Sequence, residues 1–213
     1  MAVGNNAAAQ WRAIEDLHQL VSSTVRAPAE VSPEIVESFQ VDGVVLVREA
    51  FPDWVEPLRA GLQRNLETPE AFAFPCDSVG DDEDGRFFDS YCNWQLIPEY
   101  LDFVLTSQAA AIAAQLMKST TAQLFHDHAF VKERGTAKAT PWHHDLPYYC
   151  VDGTQTVSIY VALDRTPIET GVRFLKGSHH NGDVYRPRDF ASGAEYDNED
   201  RSLVPVPDVD PDA

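Results

Sequence analysis

Hydrophobic and polar positions follow a helical period over much of the first 120 residues. Apolar side chains recur every three or four positions over residues 11–25 and again over residues 51–66. This spacing places them on one face of a helix. Pro98 and the alanine-rich run after Ser107 predict two further helices. We therefore predict that residues 1–120 are mainly helical, with one early strand.

That early strand is predicted just after another helix. The tripeptide Ser-Pro-Glu at 32–34 is typical of a helix start, because serine caps the free amides and proline already has the first-turn dihedral angle. The helix should end near Gln40, and the β-branched run 44–47 predicts a buried strand after it. Asp53 is expected to cap the helix that follows.

Residues 68–95 are rich in turn formers and acids, and the pattern predicts no helix there. The acidic cluster at 81–85 suggests calcium, but an EF-hand loop in this register would need Gly80 and Tyr91 as its first and last ligands. We interpret the cluster as a solvated loop.

From residue 121 onward the period changes to two. In residues 124–132, His126 and His128 share one face of a predicted strand, and both faces are mixed in polarity. A second alternating segment, residues 156–163, follows the hairpin signal Asp-Gly. Helices followed by strands predict an α+β fold in a single domain, with the β-rich part over residues 121–213.

The candidate chemistry lies between these strands. His143 and Asp145 form His-x-Asp, and side chains two residues apart project from the same side of an extended chain. Two histidines and one carboxylate with open positions form the facial triad of non-haem Fe(II) oxygenases, so a third ligand has to come from elsewhere. Alternatively, these are turn residues, with Asp145 capping an amide. The flanking prolines and aromatic residues favour a pocket: Pro141, Trp142, Pro147, Tyr148 and Tyr149.

Four stretches between residues 124 and 179, LFHDHAFVKERG, TPWHHDLPYY, VSIYVALD and ETGVRFLKGSH, together resemble the phytanoyl-CoA dioxygenase family. The resemblance extends more weakly upstream through VDGVVLVREAF. It implies a double-stranded β-helix, or jelly-roll, core and a dioxygenase that uses Fe(II), 2-oxoglutarate and O2 on a small-molecule or acyl-type substrate.

The resemblance also implies roles for particular residues. His143 and Asp145 become metal ligands, His126 and His128 lie near cosubstrate or substrate, and Tyr160 lies next to 2-oxoglutarate. The histidines of the strand can instead be exposed polar positions, and Tyr160 can be a core tyrosine. His144 is expected to point to solvent on the opposite face.

The sequence departs from the family pattern near its end. Family members continue with strands that carry a distal metal-binding histidine and an arginine for 2-oxoglutarate, whereas no histidine follows His180 here. A jelly roll has eight strands, and the pattern supplies about half of them. We therefore expect a core that is incomplete at the C-terminus, in a fragment or a short form. Exposed strand edges in such a core would favour a homo-oligomer.

Composition limits the partners. The formal net charge of -18 repels nucleic acid and anionic membranes, and neither a signal peptide nor a long apolar run is present. We expect a soluble, cytoplasmic protein. The three cysteines lack the C-x-x-C spacing of a zinc knuckle and are expected to be reduced thiols.

Three classes of function follow. The first is the dioxygenase, and the second is a non-catalytic fragment or interaction module of the same family. The third is a cupin-like metal protein of other chemistry, with His126, His128 and His143 as alternative ligands.

Overall fold

The computed structural model describes residues 30–68, 85, 87–136, 139–190, 194–196, 202–207 and 209. The predicted helix over residues 11–25 and most of the acidic cluster at 81–85 lie outside the described residues. The described helices and strands are, in chain order, α1 (Pro33–Asp42), α2 (Val55–Glu67), β1 (Phe87–Tyr91), α3 (Pro98–Thr106), α4 (Ala109–Leu116) and β2 (His128–Lys132).

The local signals for helices are confirmed. Ser32 caps α1, because its Oγ accepts a hydrogen bond from the Ile35 amide at 3.4 Å. The helix ends at Gly43, whose φ of 74° is a left-handed conformation that suits glycine. The predicted helix over residues 51–66 is found as α2, preceded by a short 3-10 turn. Asp53 lies within that turn rather than at the N-cap of α2.

The main hydrophobic cluster joins the start of α2 to α3. Trp54 and Leu58 pack there against Ile97 and Tyr100, and all four are buried. The Phe103 ring seals one side, with its centroid 5.3 Å from that of Trp54 in an edge-to-face arrangement. This packing follows from the helical spacing of the apolar residues in both segments.

β1 and β2 pair antiparallel, with Asp89 opposite Phe130 and Tyr91 opposite His128. One face of this sheet packs toward α2, where Ser90, Asn65 and Asn93 form a buried hydrogen-bonded group. The other face carries Asp89, Tyr91, His128 and Phe130. Sequence patterning predicted β2, although from residue 124, and missed β1.

Two predicted strands are not formed. Residues 44–47 and 156–163 make no ladder within the described structure. A strand is completed by hydrogen bonds to a neighbouring chain, which a local pattern does not supply. Residues 156–163 nevertheless keep the predicted alternation: Val161 and Leu163 pack on the hydrophobic cluster, while Ser158 and Tyr160 are exposed on the other side.

The predicted α+β class is confirmed: helices accompany a two-stranded antiparallel sheet. Within the described ranges, every helix is too short or too polar to cross a membrane.

Candidate metal centre

A tight turn follows the His-x-Asp pair directly. Residues Leu146–Tyr148 form one turn of 3-10 helix immediately after Asp145, and the Tyr148 amide donates to the Asp145 carbonyl at 2.9 Å. Pro147 suits this turn because its fixed φ matches the helical value. The side chains of His143 and Asp145 lie on the same side of the loop, where they face each other.

The His143 ring is oriented by its own loop. Nδ1 donates to the Pro141 carbonyl at 2.8 Å, which leaves Nε2 facing Oδ1 of Asp145 at 3.5 Å. Metal-ligating histidines commonly donate their second ring nitrogen to a carbonyl in this way. Two metal–ligand bonds of about 2.1 Å each can span the separation of these two atoms. The pair therefore fits two positions of a divalent metal site.

The charges of the pair support one another. The hydrogen bond from His143 outweighs burial and, with hydrogen bonds from Ser158 and Tyr149, lowers the pKa of Asp145 to about 2. Burial lowers the pKa of His143, but the Asp145 carboxylate and the Pro141 carbonyl more than offset it, so this pKa is raised. Asp145 is therefore an ionised carboxylate at neutral pH, the form in which it binds a cation.

Two hydroxyl groups contact the Asp145 carboxylate. Ser158 Oγ donates to Oδ2 at 3.0 Å, which leaves Oδ1 turned toward His143. Tyr149 lies beside them, where burial and the Asp145 charge raise the pKa of its phenol to about 12. Tyr149 is therefore a protonated hydrogen-bond donor at neutral pH.

A downstream segment, residues 184–190, holds the loop from the other side, and we refer to it as the clamp. The Tyr148 hydroxyl donates to the Arg188 carbonyl at 2.9 Å and accepts from the Arg188 amide at 2.7 Å. The Phe190 ring lies 4.7 Å from that of His143, centroid to centroid. The clamp thus restricts both the turn and the imidazole.

The clamp also corrects the prediction for His144. Its Nε2 accepts a hydrogen bond from the Tyr185 amide at 2.9 Å, and the two rings lie 5.0 Å apart. Burial lowers the pKa of His144, so the ring is neutral and able to accept at neutral pH. The expectation that His144 points to solvent is wrong, because the clamp covers the face of the loop opposite Asp145.

The other predicted site residues divide into two groups. His126 lies beside the pair: its ring is 5.3 Å from that of Tyr149, and burial lowers its pKa. His128 contacts the Asp89 carboxylate across the sheet, and Tyr160 stacks on Phe130, on the exposed face. Their roles toward a cosubstrate stay predictions.

Among the residues that the structure describes, no three histidine, cysteine, aspartate or glutamate side chains lie close enough together to hold a metal ion. His143 and Asp145 are therefore a two-ligand set. Sequence reasoning placed Tyr148 among the aromatic residues of the pocket, but it did not assign Ser158 or the clamp to this site. Only Ser158 carried a signal, because it shares the face of Tyr160 in the period-two pattern.

The geometry is that of an α+β protein with a histidine–carboxylate pair suited to a divalent metal ion. Comparison with family models agrees: the model of phytanoyl-CoA dioxygenase (PhyH) matches residues 39–208. The chain belongs to the phytanoyl-CoA dioxygenase family, whose members are generally Fe(II)- and 2-oxoglutarate-dependent oxygenases. No curated protein and no solved structure matches the chain.

Proposed function

We propose that the chain is an Fe(II)- and 2-oxoglutarate-dependent dioxygenase that hydroxylates a small-molecule or acyl-type substrate, with His143 and Asp145 as metal ligands. The observation that carries the proposal is the convergence of His143 Nε2 and Asp145 Oδ1 at 3.5 Å in a member of this family. Imidazole and carboxylate are the ligand types of the facial triad.

The residues around the pair have defined tasks in this proposal. The Pro141 carbonyl keeps the proton on Nδ1 of His143, so Nε2 is the nitrogen that would bind the metal. Ser158 holds one oxygen of Asp145 and leaves the other to the metal. When bound, iron with 2-oxoglutarate and O2 supplies the oxidation of a substrate C–H bond to C–OH, with succinate and carbon dioxide as the other products.

The jelly-roll core is part of the same proposal. Residues 156–163 lie with Tyr160 against Phe130 of β2 and keep strand-like alternation, which supports their role as a strand of that core. The face of the sheet that carries Phe130 would then be an inner wall of the jelly roll.

An anaerobic titration of the chain with Fe(II) and 2-oxoglutarate tests the proposal. We expect the visible charge-transfer band of the chelate to appear in the native chain and to be lost in His143→Ala. His180→Ala is the matched control, because His180 is an exposed histidine outside the site, and it should keep the band. Succinate formation then measures turnover.

The same titration separates the alternatives. A folded chain that gives no band is a non-catalytic member of the family, and the proposal fails. Loss of metal binding in His126→Ala or His128→Ala would favour the cupin-like alternative, which takes His126, His128 and His143 as its ligands. Against that alternative, His128 contacts the Asp89 carboxylate across the sheet.

A further inference from the structure

Two short segments further along the chain pair with the clamp. Residues 194–196 run antiparallel to it, and residues 202–204 run parallel to it. The two bridged pairs are Glu195 with Arg188 and Val204 with Tyr185. We refer to the two segments together as the strap. The clamp therefore has the strap as one neighbour and the His-x-Asp loop as another.

Backbone groups of the clamp are divided between these two neighbours. Its hydrogen bonds with the strap are Arg186 N–H to Val204 C=O at 2.8 Å, Asp189 N–H to Ala194 C=O at 2.8 Å and Tyr196 N–H to Pro187 C=O at 3.2 Å. Toward the loop, the Tyr185 amide donates to His144. Both backbone groups of Arg188 bond to the Tyr148 hydroxyl. The clamp thus has the role of a middle strand, which is bonded along both of its edges.

The register at Arg188 accounts for its contact with Tyr148. In an antiparallel pair, two opposed residues exchange either both of their backbone bonds or none. Arg188 and Glu195 exchange none, because the bonds run between their chain neighbours. The amide and carbonyl of Arg188 therefore point away from the strap, where the Tyr148 hydroxyl meets both. A shift of one residue in this register would turn these groups toward the strap instead.

The Glu195 side chain joins the strap to two arginines of the clamp. Its Oε2 accepts a hydrogen bond from Nη1 of Arg186 at 3.2 Å, and its Oε1 lies 3.9 Å from Nη2 of Arg188. Arg186 and Arg188 are two residues apart in an extended segment, so their side chains lie on the same side. The three side chains are only 30% to 38% exposed, so salt screens them less than fully exposed charges.

We propose that Glu195 is a positioning residue of the candidate metal centre. It holds the strap in register on the clamp, and this register presents the backbone of Arg188 to Tyr148. Tyr148 in turn holds the turn that follows Asp145. The inference rests on the proposed function, because its consequence is the affinity of His143 and Asp145 for metal. Glu195 acts through the clamp and not on the metal.

Amide hydrogen exchange of the chain in EDTA tests the proposal without metal. The Arg188 amide donates to Tyr148, and it should exchange about threefold faster in Glu195→Gln, which removes the charge but keeps the size of the side chain. The Leu101 amide donates to the Ile97 carbonyl in α3. It should exchange at the native rate, which shows that the opening is local.

Charge reversal sharpens the test. Glu195→Arg places a third cation beside Arg186 and Arg188, so we expect about tenfold lower affinity for Co(II) in calorimetric titration. The double variant Glu195→Arg, Arg186→Glu again has one carboxylate between two guanidinium groups, and it should recover most of the affinity. Such a rescue depends on the sign of the charges, so a general loss of stability would not produce it.

Glu99→Gln is the matched control. Glu99 also pairs with an arginine, Arg64, at 2.8 Å, but this pair joins α3 to α2. The variant should therefore keep the Co(II) affinity of the native chain.

Three results would overturn the inference. They are native exchange of the Arg188 amide in both single variants of Glu195, a double variant that binds Co(II) no more tightly than Glu195→Arg, or an equal loss of affinity in Glu99→Gln. Failure of the proposed function is seen separately. A native chain that binds no Co(II) would contradict that function, whereas exchange of the Arg188 amide still decides whether Glu195 holds the clamp.

Discussion

Residues 51–116 and residues 139–190 are held together in different ways. Every buried hydrophobic side chain of the described structure lies between Trp54 and Leu116. In residues 139–190 the single buried residue is Pro187, and hydrogen bonds and ring contacts hold the His-x-Asp loop to the clamp. Burial stabilises the first region, whereas the contacts of the second region fix the orientation of His143 and Asp145. Substitutions in the first region should therefore mainly lower the free energy of unfolding, and those around the site should mainly lower the affinity for metal.

The largest expected effect is in the first region. Leu101 is fully buried in α3, and Leu101→Ala should lower the free energy of unfolding by about 2 to 5 kcal/mol through lost contacts and a cavity. Urea denaturation measures this change. Leu105 lies in the same helix but is 48% exposed, so Leu105→Ala should change stability by only about 0.5 kcal/mol. Equal losses for the two leucines would contradict the view that burial stabilises the first region.

The next effect is in the clamp. Tyr148→Phe keeps the ring and removes the hydroxyl that both donates to and accepts from the Arg188 backbone. We expect a loss of about 1 kcal/mol in stability and a roughly tenfold lower affinity for Co(II), because the turn that carries Asp145 is loosened. Calorimetric titration with Co(II) measures the affinity.

Tyr91→Phe is the matched control for the clamp, because Tyr91 lies in β1, outside the clamp, and is 38% exposed. Its Co(II) affinity should match that of the native chain. If Tyr148→Phe also binds Co(II) with native affinity, the clamp does not position the metal ligands.

A smaller effect is expected at His144. His144→Ala removes the acceptor for the Tyr185 amide, so Co(II) affinity should fall by about threefold, the equivalent of a weak neutral hydrogen bond. His144→Gln supplies an amide oxygen at a similar reach and should restore most of the affinity. Equal losses in the two variants would show that the imidazole ring itself, rather than its hydrogen bond, is required.

The smallest effect concerns Asp127, at the junction of the two regions. Burial raises the pKa of this carboxyl group, although the amides of Trp94 and Asn93 donate to it. An acid with a raised folded-state pKa disfavours folding when ionised, so the free energy of unfolding should rise as pH falls through that pKa. Asp127→Asn keeps an acceptor for Trp94 and should be more stable than the native chain at neutral pH.

The difference between Asp127→Asn and the native chain should shrink as pH falls toward the ordinary aspartate value of 3.8. Urea denaturation across this pH range measures both chains. Parallel stability profiles would mean that the charge of Asp127 is already compensated in the folded state.

Prediction from sequence succeeded where the physical cause is local. The serine cap of α1 and the helical spacing over residues 51–66 each involve neighbours within one or two turns. Strands depend on distant partners. β1 contains three aromatic residues that favour a strand, but it lies in a turn-rich stretch and pairs with a strand about 40 residues further on, so the local pattern did not reveal it.

The same distinction applies to the candidate site. His143 and Asp145 are two residues apart, so the sequence alone could place them side by side, and the family motifs named the chemistry they suit. The clamp joins Tyr148 to Arg188 across 40 positions, and the contact between Asp89 and His128 spans 39. Such contacts are set by how the chain folds back, which a local pattern does not encode.

The sequence by itself determined the helices, the α+β class, the His-x-Asp pair and the family, because each depends on short-range spacing or on motifs that are continuous in the chain. Only the tertiary structure decided the orientation of the His143 ring, the clamp over His144 and the stacking of Tyr160 on Phe130. The physical reason is that side-chain orientation and burial depend on packing between distant segments. Packing of that kind also brought Ser158 to the Asp145 carboxylate.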